Sequence, residues 1–488
     1  MDRRFFLKSA AAVAAGSLAP PSAFAGPAAA PVTLTLDRRI IEVNGKAASV
    51  FGILQADGTQ GISIDVSQPF RVDVRNNLDR ISLIHWHGLT PPYVQDGVPY
   101  VSAPPIPAGG SQGYDFKLDF SGTFWMHSHV GLQEQELLSA PLIIHEAGGP
   151  AAGAQEIVVM LHDFTFENPE DIFAELKNGR GAPEGGVTPA AMTSGAGMSG
   201  TKGAGAKPDL NDVDYDAFLA NDRTLADPAV IRVERGGRVR LRLINGSAAT
   251  NYWISLGGLR GTLIAVDGTA TRPVALDALP LAIAQRADIL IELPSGAGAY
   301  PILAQVEGKA DRSGIVLATS GAAIARIPLR AAQDSPPVGF AFERSLAAAE
   351  PLVVRAADIT REVKLTGDIA AYVWMMDDQV YPKITPIMVA AGKRVEFVMQ
   401  NKTMMSHPMH LHGHRFQVVG VDGARFEGAV RDTVLVPPLK TVTIAFDTDN
   451  PGRWAFHCHN LWHLAAGMMT VVDYEGVPMP LLPADAAG

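Results

Sequence analysis

The chain has 488 residues, 47% of them hydrophobic and 18% charged, with 48 Gly, 35 Pro and a single Cys. A formal net charge of -10 argues against nucleic acid, which rewards a basic face. One Cys excludes an internal disulfide, and so much Gly and Pro favours many strands joined by turns over long helices.

At the N-terminus Arg3 and Arg4 precede Phe6-Leu7-Lys8 and an apolar, Ala-rich run from Ser9 to Ala19. Ala23-Phe24-Ala25 then offers small residues at the two positions a signal peptidase reads. The segment resembles a twin-arginine export signal, with Asp2 where Ser or Thr is usual. Residues 1–25 are therefore expected to engage the twin-arginine export machinery and to be removed, leaving a periplasmic or secreted protein. The apolar run is too short to span a bilayer and no later segment is long enough, so no membrane anchor is expected after cleavage.

Beyond the signal one unit is written three times. Alternating apolar residues lead to an Asn and then to a second strand: Arg71 to Asn77 and on to His85 and His87, Arg238 to Asn245 and on to Tyr252 and Ile254, Arg394 to Asn401 and on to His410 and His412. Period-two alternation predicts half-buried antiparallel strands. A later element also recurs, as Gly122-Thr-Phe124, Gly298-Ala-Tyr300 and Gly452-Arg-Trp454. Five and seven residues after each Gly stand His127 and His129, Leu303 and Gln305, and His457 and His459. The chain is thus expected to form three β-sandwich domains, 26–148, 149–326 and 351–488, with 327–350 (including Pro336 and Pro337) as a linker. The outer two carry the paired histidines. The Gly/Ala/Ser tract 179–207 reads as a flexible insertion in the middle domain.

Four strings carry the chemistry: His85-Trp-His87, His127-Ser-His129, His407-Pro-Met-His410-Leu-His412, and His457-Cys458-His459 followed by His463 and Met468. Side chains two apart on a strand point the same way, so each His-x-His aims two imidazoles at one place. Four pairs give eight imidazoles, too many for one metal and suited to a cluster of three. Two pairs sit in each outer domain, so the cluster is expected at their interface. Cys458, His463 and Met468, with His407 from an earlier strand, make two imidazoles, a thiolate and a weak thioether, the ligand set of an electron-transfer copper centre. Cys458 lies between His457 and His459, so electrons taken at the single copper have a short covalent route to the cluster. Four coppers store the four electrons that reduce oxygen to two waters.

These strings resemble those of the multicopper oxidases, the family of laccases, ascorbate oxidase, ferroxidases and bacterial cuprous oxidases, and the repeat extends the resemblance over nearly the whole mature chain. The resemblance implies an all-β fold of three consecutive cupredoxin-like Greek-key β-sandwich domains and four copper ions: one type 1, one type 2 and a type 3 pair. By motif position it implies type 1 ligation by His407, Cys458 and His463 with axial Met468, and type 2 ligation by His85 and His410. His87, His127, His129, His412, His457 and His459 would hold the type 3 pair. His145, His162 and His414 match no ligand position. An axial Met, where some fungal laccases carry Leu or Phe, implies a lower or middling potential.

Oxygen reduction consumes protons, so acids are expected near the cluster. Asp96, eleven residues after His85, matches an Asp that family members hold near the type 2 copper, although Asp96-Gly97 is also a plain turn. Glu136, seven after His129, is the second candidate. For the electron donor, Met192, Met198, Met404 and Met405 fall short of a Met-rich metal-gathering insertion, and Ser406, Trp462 and Leu464 beside the type 1 histidines are neutral. A phenol or aromatic amine is therefore expected, with Cu(I) or Mn(II) as the alternative. A metal-free scaffold relative would lack ligands that this chain has.

Overall fold

Six sheets, two to a domain, account for nearly all the regular structure. The protein is described by a computed structural model over residues 30–149, 151–179 and 210–478; the expected signal, and all but the first residue of the 179–207 tract, lie outside the described residues. In the first domain one sheet runs in the order Lys46–Leu54, Val32–Val43, Phe70–Asn76, Ser111–Phe116, and the other Ile62–Asp65, Ser139–His145, Gly122–Ser128, Ile84–His87. The middle domain pairs a six-stranded with a five-stranded sheet, and the third a seven-stranded with a five-stranded sheet. Among the described residues no helix is long and apolar enough to cross a membrane.

The triplicated pattern is a triplicated register. In each domain the alternating strand that ends in Asn lies parallel to the domain's first strand: Leu36 pairs with Asn76, Leu161 with Asn245 and Leu365 with Asn401. Each of these Asn side chains donates to two or three backbone carbonyls, Asn76 to Arg80, Ile106 and Pro107, Asn245 to Thr250 and Leu281, Asn401 to Met405, Val436 and Pro437. A buried amide that satisfies several carbonyls fixes the crossover to the next strand. In the first domain this residue is Asn76, not the neighbouring Asn77, whose side chain bonds Asp37 at the surface.

The half-buried expectation holds for Phe70–Asn76, whose even and odd positions alternate, but fails for Arg238–Asn245. Arg240 and Arg242 are buried because the first domain covers that face. Arg240 pairs with Asp288, and Arg242 reaches Asp288, Glu156 and Thr123 of the first domain. The linker is ordered against the middle and third domains, through the Thr271–Ala348 bridge and through Glu343, which accepts from Arg431.

One excursion of the middle domain matters for function. Helix α1 (Pro169–Lys177) is capped by Asn168 and opened by Pro169. Its Ile172 and Leu176, with Val213, share one buried cluster with Trp462, Cys458 and Met468 of the third domain. The middle domain thus lies over the third domain's single-cysteine centre.

Candidate metal centre

Strand geometry separates the two centres. In Ile84–His87, Trp86 turns into the first domain's core against Phe70 and Tyr114, which leaves His85 and His87 on the opposite face. In Arg453–Cys458, Cys458 belongs to the third domain's core cluster while His457 and His459 face the first domain. One residue of strand alternation therefore divides a centre inside the domain from one at the interface.

The eight paired histidines converge there. His412 and His457 have their Nε2 atoms 3.0 Å apart, and His129 Nε2 lies 3.4 Å from that of His457. His127 and His459 approach to 3.3 Å, with the His87 ring centroid 5.0 Å from that of His459. His85 and His410 approach to 3.4 Å. Strand pairing holds them in place, His85 opposite His127 and His410 opposite His457.

The outward nitrogens are held by oxygens. His85 Nδ1 lies 2.9 Å from the Asp96 carbonyl, and His412 Nδ1 2.9 Å from Asp96 Oδ2. His410 Nδ1 lies 2.8 Å from the Asp432 carbonyl, and His127 Nδ1 3.1 Å from Glu134 Oε2. His87 is reversed: its Nε2 faces Asp432 Oδ1 and Thr433 Oγ1, both at 3.1 Å, and its Nδ1 is buried with no hydrogen-bond partner. Fixing one ring nitrogen commits the other as a lone-pair donor. Asp96 reaches its position because Gly97 takes a φ of 90° against the Ile84 carbonyl, where a Cβ would stand 1.9 Å from that oxygen.

In the third domain His407 Nδ1 and His463 Nδ1 are 3.1 Å apart, and Cys458 Sγ lies 3.6 and 3.5 Å from them. Met468 is fully buried, its carbonyl accepting from Cys458 N and its own N–H donating to the His463 carbonyl. Asn460 caps α2 (Leu461–Ala465) and so turns His463 back toward Cys458. His407 Nε2 bonds Thr403 Oγ1 at 2.8 Å.

This donor set fits metal. Burial, and then the crowding of like rings, depresses His87, His129, His410, His412 and His459 well below the ordinary imidazole value, and burial takes His457 to about 3. These rings are neutral bases with free lone pairs. Burial pushes the Cys458 thiol up, so a thiolate there requires a bound cation. The buried Asp96, Glu134 and Asp432 stand ready to offset cationic charge.

Residues 39–148, 155–326 and 356–476 each match a family model described as multicopper oxidase. The chain belongs to the multicopper oxidase family and is a copper-dependent oxidoreductase. It is similar to the multicopper oxidase MmcO of Mycobacterium tuberculosis, 30% identical over 453 residues that take in 91% of this chain and 86% of that protein. A copper resistance protein A homolog of Pseudomonas syringae pv. tomato is 26% identical over 507 residues, 82% and 85% of the two chains. The crystal structure of Fet3p, described as a multicopper oxidase that functions in iron import, shares the fold with a TM-score of 0.75 and 19% identity over 91% of this chain and 90% of that one.

Of the acids expected near the cluster, Asp96 touches two of its histidines. Glu136 is turned away, paired with Arg80 at 3.4 Å and shifted up by burial. The acid that reaches the histidines is Glu134, near both His127 and His459 (3.1 and 3.8 Å). Sequence reasoning also missed Asp432, which braces His87 and His410 and is gripped by the buried Arg286. It missed Asp212 too, whose Oδ2 lies 3.2 Å from His463 Nε2 and accepts from Asn460 at 2.9 Å. The neutral neighbours of His463 in sequence thus do not describe its surroundings in space. His414 is buried, bonded to the His412 carbonyl and to Tyr474. No spacing rule finds Asp212 or Asp432, and Glu134 lies between Gln133 and Gln135, both of them buried as it is.

Proposed function

We propose that this chain is an exported oxidase that takes single electrons at the Cys458 centre and delivers them to dioxygen at the eight-histidine centre, and that its donor is a small metal cation such as Cu(I) or Mn(II). Four copper ions would fit the donor set, one held by His407, Cys458, His463 and Met468, one by His85 and His410, and a pair by the remaining six histidines. Bound copper supplies one-electron steps and a site for oxygen.

The observation that carries the donor assignment is Asp212. Its carboxylate lies against the outer nitrogen of His463, and His463 is fully buried beneath the middle domain. Burial alone would raise the Asp212 carboxyl, but the His463 imidazole and the Asn460 amide hold it below the usual value. A buried anion there attracts a cation, while the cover over His463 keeps a phenol ring from its edge. The organic donor expected from neutral flanking residues loses that support.

Cys458 joins the centres through the backbone of His457 and His459. Asp96 Oδ2, beside His412 Nδ1, is placed to carry protons toward the oxygen-reducing centre. Oxygen uptake by copper-loaded protein tests the proposal: Cu(I) or Mn(II) should drive uptake efficiently and 2,6-dimethoxyphenol poorly. Phenol turnover matching that of the metal ions overturns the donor assignment.

A further inference from the structure

Among the eight clustered histidines only His129 is partly exposed. It forms part of the lining of a cavity of about 470 Å³ where all three domains meet. That volume is far larger than dioxygen requires and lies within the roughly 300–1,000 Å³ of pockets that hold ring-sized ligands. The walls are aromatic and apolar, with Tyr100, Phe173, Tyr381 and Met469 among them, and the one charged lining residue is Glu170 on the first turn of α1.

Two further features mark this as a built site. Tyr100 holds a φ of 60°, a conformation a bulky residue adopts only under constraint, and its N–H is fixed to the Ala103 carbonyl. Strain of that kind concentrates where a side chain must be presented in one direction. Three aromatic rings and an exposed carboxylate are also what a charged ring requires, faces for stacking and cation–π contact and an anion for the charge.

We infer that this cavity binds a small aromatic cation, a single ring bearing one ammonium group, and that its occupant closes the approach to His129. The site is distinct from the His463 edge that receives electrons, and its binding depends on no metal; only the closure rests on the oxidase reading.

Calorimetric titration of the copper-loaded protein with benzyltrimethylammonium tests the site. One saturable event is expected, weakened roughly three- to fivefold in Glu170→Gln. Ala465→Phe, at an exposed lining position where a larger side chain fills the cavity, should abolish it. No saturable heat in the parent, or equal affinity in both variants, overturns the site. Azide binding, followed by its absorbance band with the copper cluster, should slow as the probe saturates; an unchanged rate overturns the closure. Absence of any azide band refutes the cluster reading and leaves the titration to decide the site.

Discussion

The carboxylate of Asp212, carried by the middle domain, lies 3.2 Å from Nε2 of His463, the imidazole that turns back on Cys458 from helix α2. A domain without clustered histidines thereby determines what can approach the electron-accepting edge. Asp212→Asn keeps the shape and removes the charge. A carboxylate a few ångströms from a cation attracts it by on the order of 1–4 kcal/mol between the aqueous and the protein-surface dielectric, so kcat/KM for Cu(I) or Mn(II) should fall at least about fivefold and as much as several hundredfold. Turnover of an uncharged phenol should stay level or rise. Steady-state oxygen uptake with both donor classes checks this, and equal losses for the two would remove the cation-specific role.

Cys458→Ser should lose the intense blue absorbance and the oxidation of every donor while keeping about three coppers per chain. The thiolate is both chromophore and entry point, and the eight clustered histidines are untouched. Metal analysis and absorbance of the purified variant decide it. Donor oxidation at the parental rate would refute the electron path.

Asp96→Asn should slow reoxidation by oxygen on the order of a hundredfold, the scale of a lost proton donor. Anaerobic reduction of the Cys458 centre by donor should stay near normal, because Asp96 contacts His85 and His412 and not His407 or His463. Stopped-flow measurement of the two half-reactions separates them. The pH dependence of the oxygen step should change with it. Unchanged turnover and pH profile would leave Asp96 as a turn residue that braces two histidines.

Glu134 and Glu136 should behave differently despite lying two residues apart. Glu134→Ala frees His127 Nδ1 from its carboxylate and should weaken copper retention by roughly ten- to a hundredfold, read as loss of metal to a chelator. Glu136→Ala removes only a partly exposed ion pair with Arg80, worth at most about 1 kcal/mol, and should leave copper content unchanged.

His162 sits buried between the first and middle domains with Nε2 on Ser139 Oγ, and burial lowers its pKa to about 4. The folded chain therefore resists a proton that the unfolded chain accepts below about 6.5. Stability from this group is fully present above that pH and is lost as pH falls toward 4, by about 3 kcal/mol in all. His162→Gln should show a correspondingly shallower fall in unfolding midpoint between pH 6.5 and 4, measured by thermal denaturation. Parallel curves for variant and parent would reject the assignment.

Much of this molecule is legible in one dimension, because strand alternation is a local rule. His-x-His must present two imidazoles to one side, and Cys458 between two histidines must face the other way, whatever surrounds it. The threefold repeat likewise predicts three sandwiches, since each unit carries the same register from its first strand to its Asn. What surrounds the centres is set by packing of residues remote in sequence. Asp432 reaches His87, Asp212 reaches His463, and the cavity at His129 exists only where three domains abut. Arg240 and Arg242 carry the same lesson, reading as solvent-facing charges and lying buried under the first domain. Local periodicity determines which way a side chain points along its strand; only the packing of domains decides what it meets there.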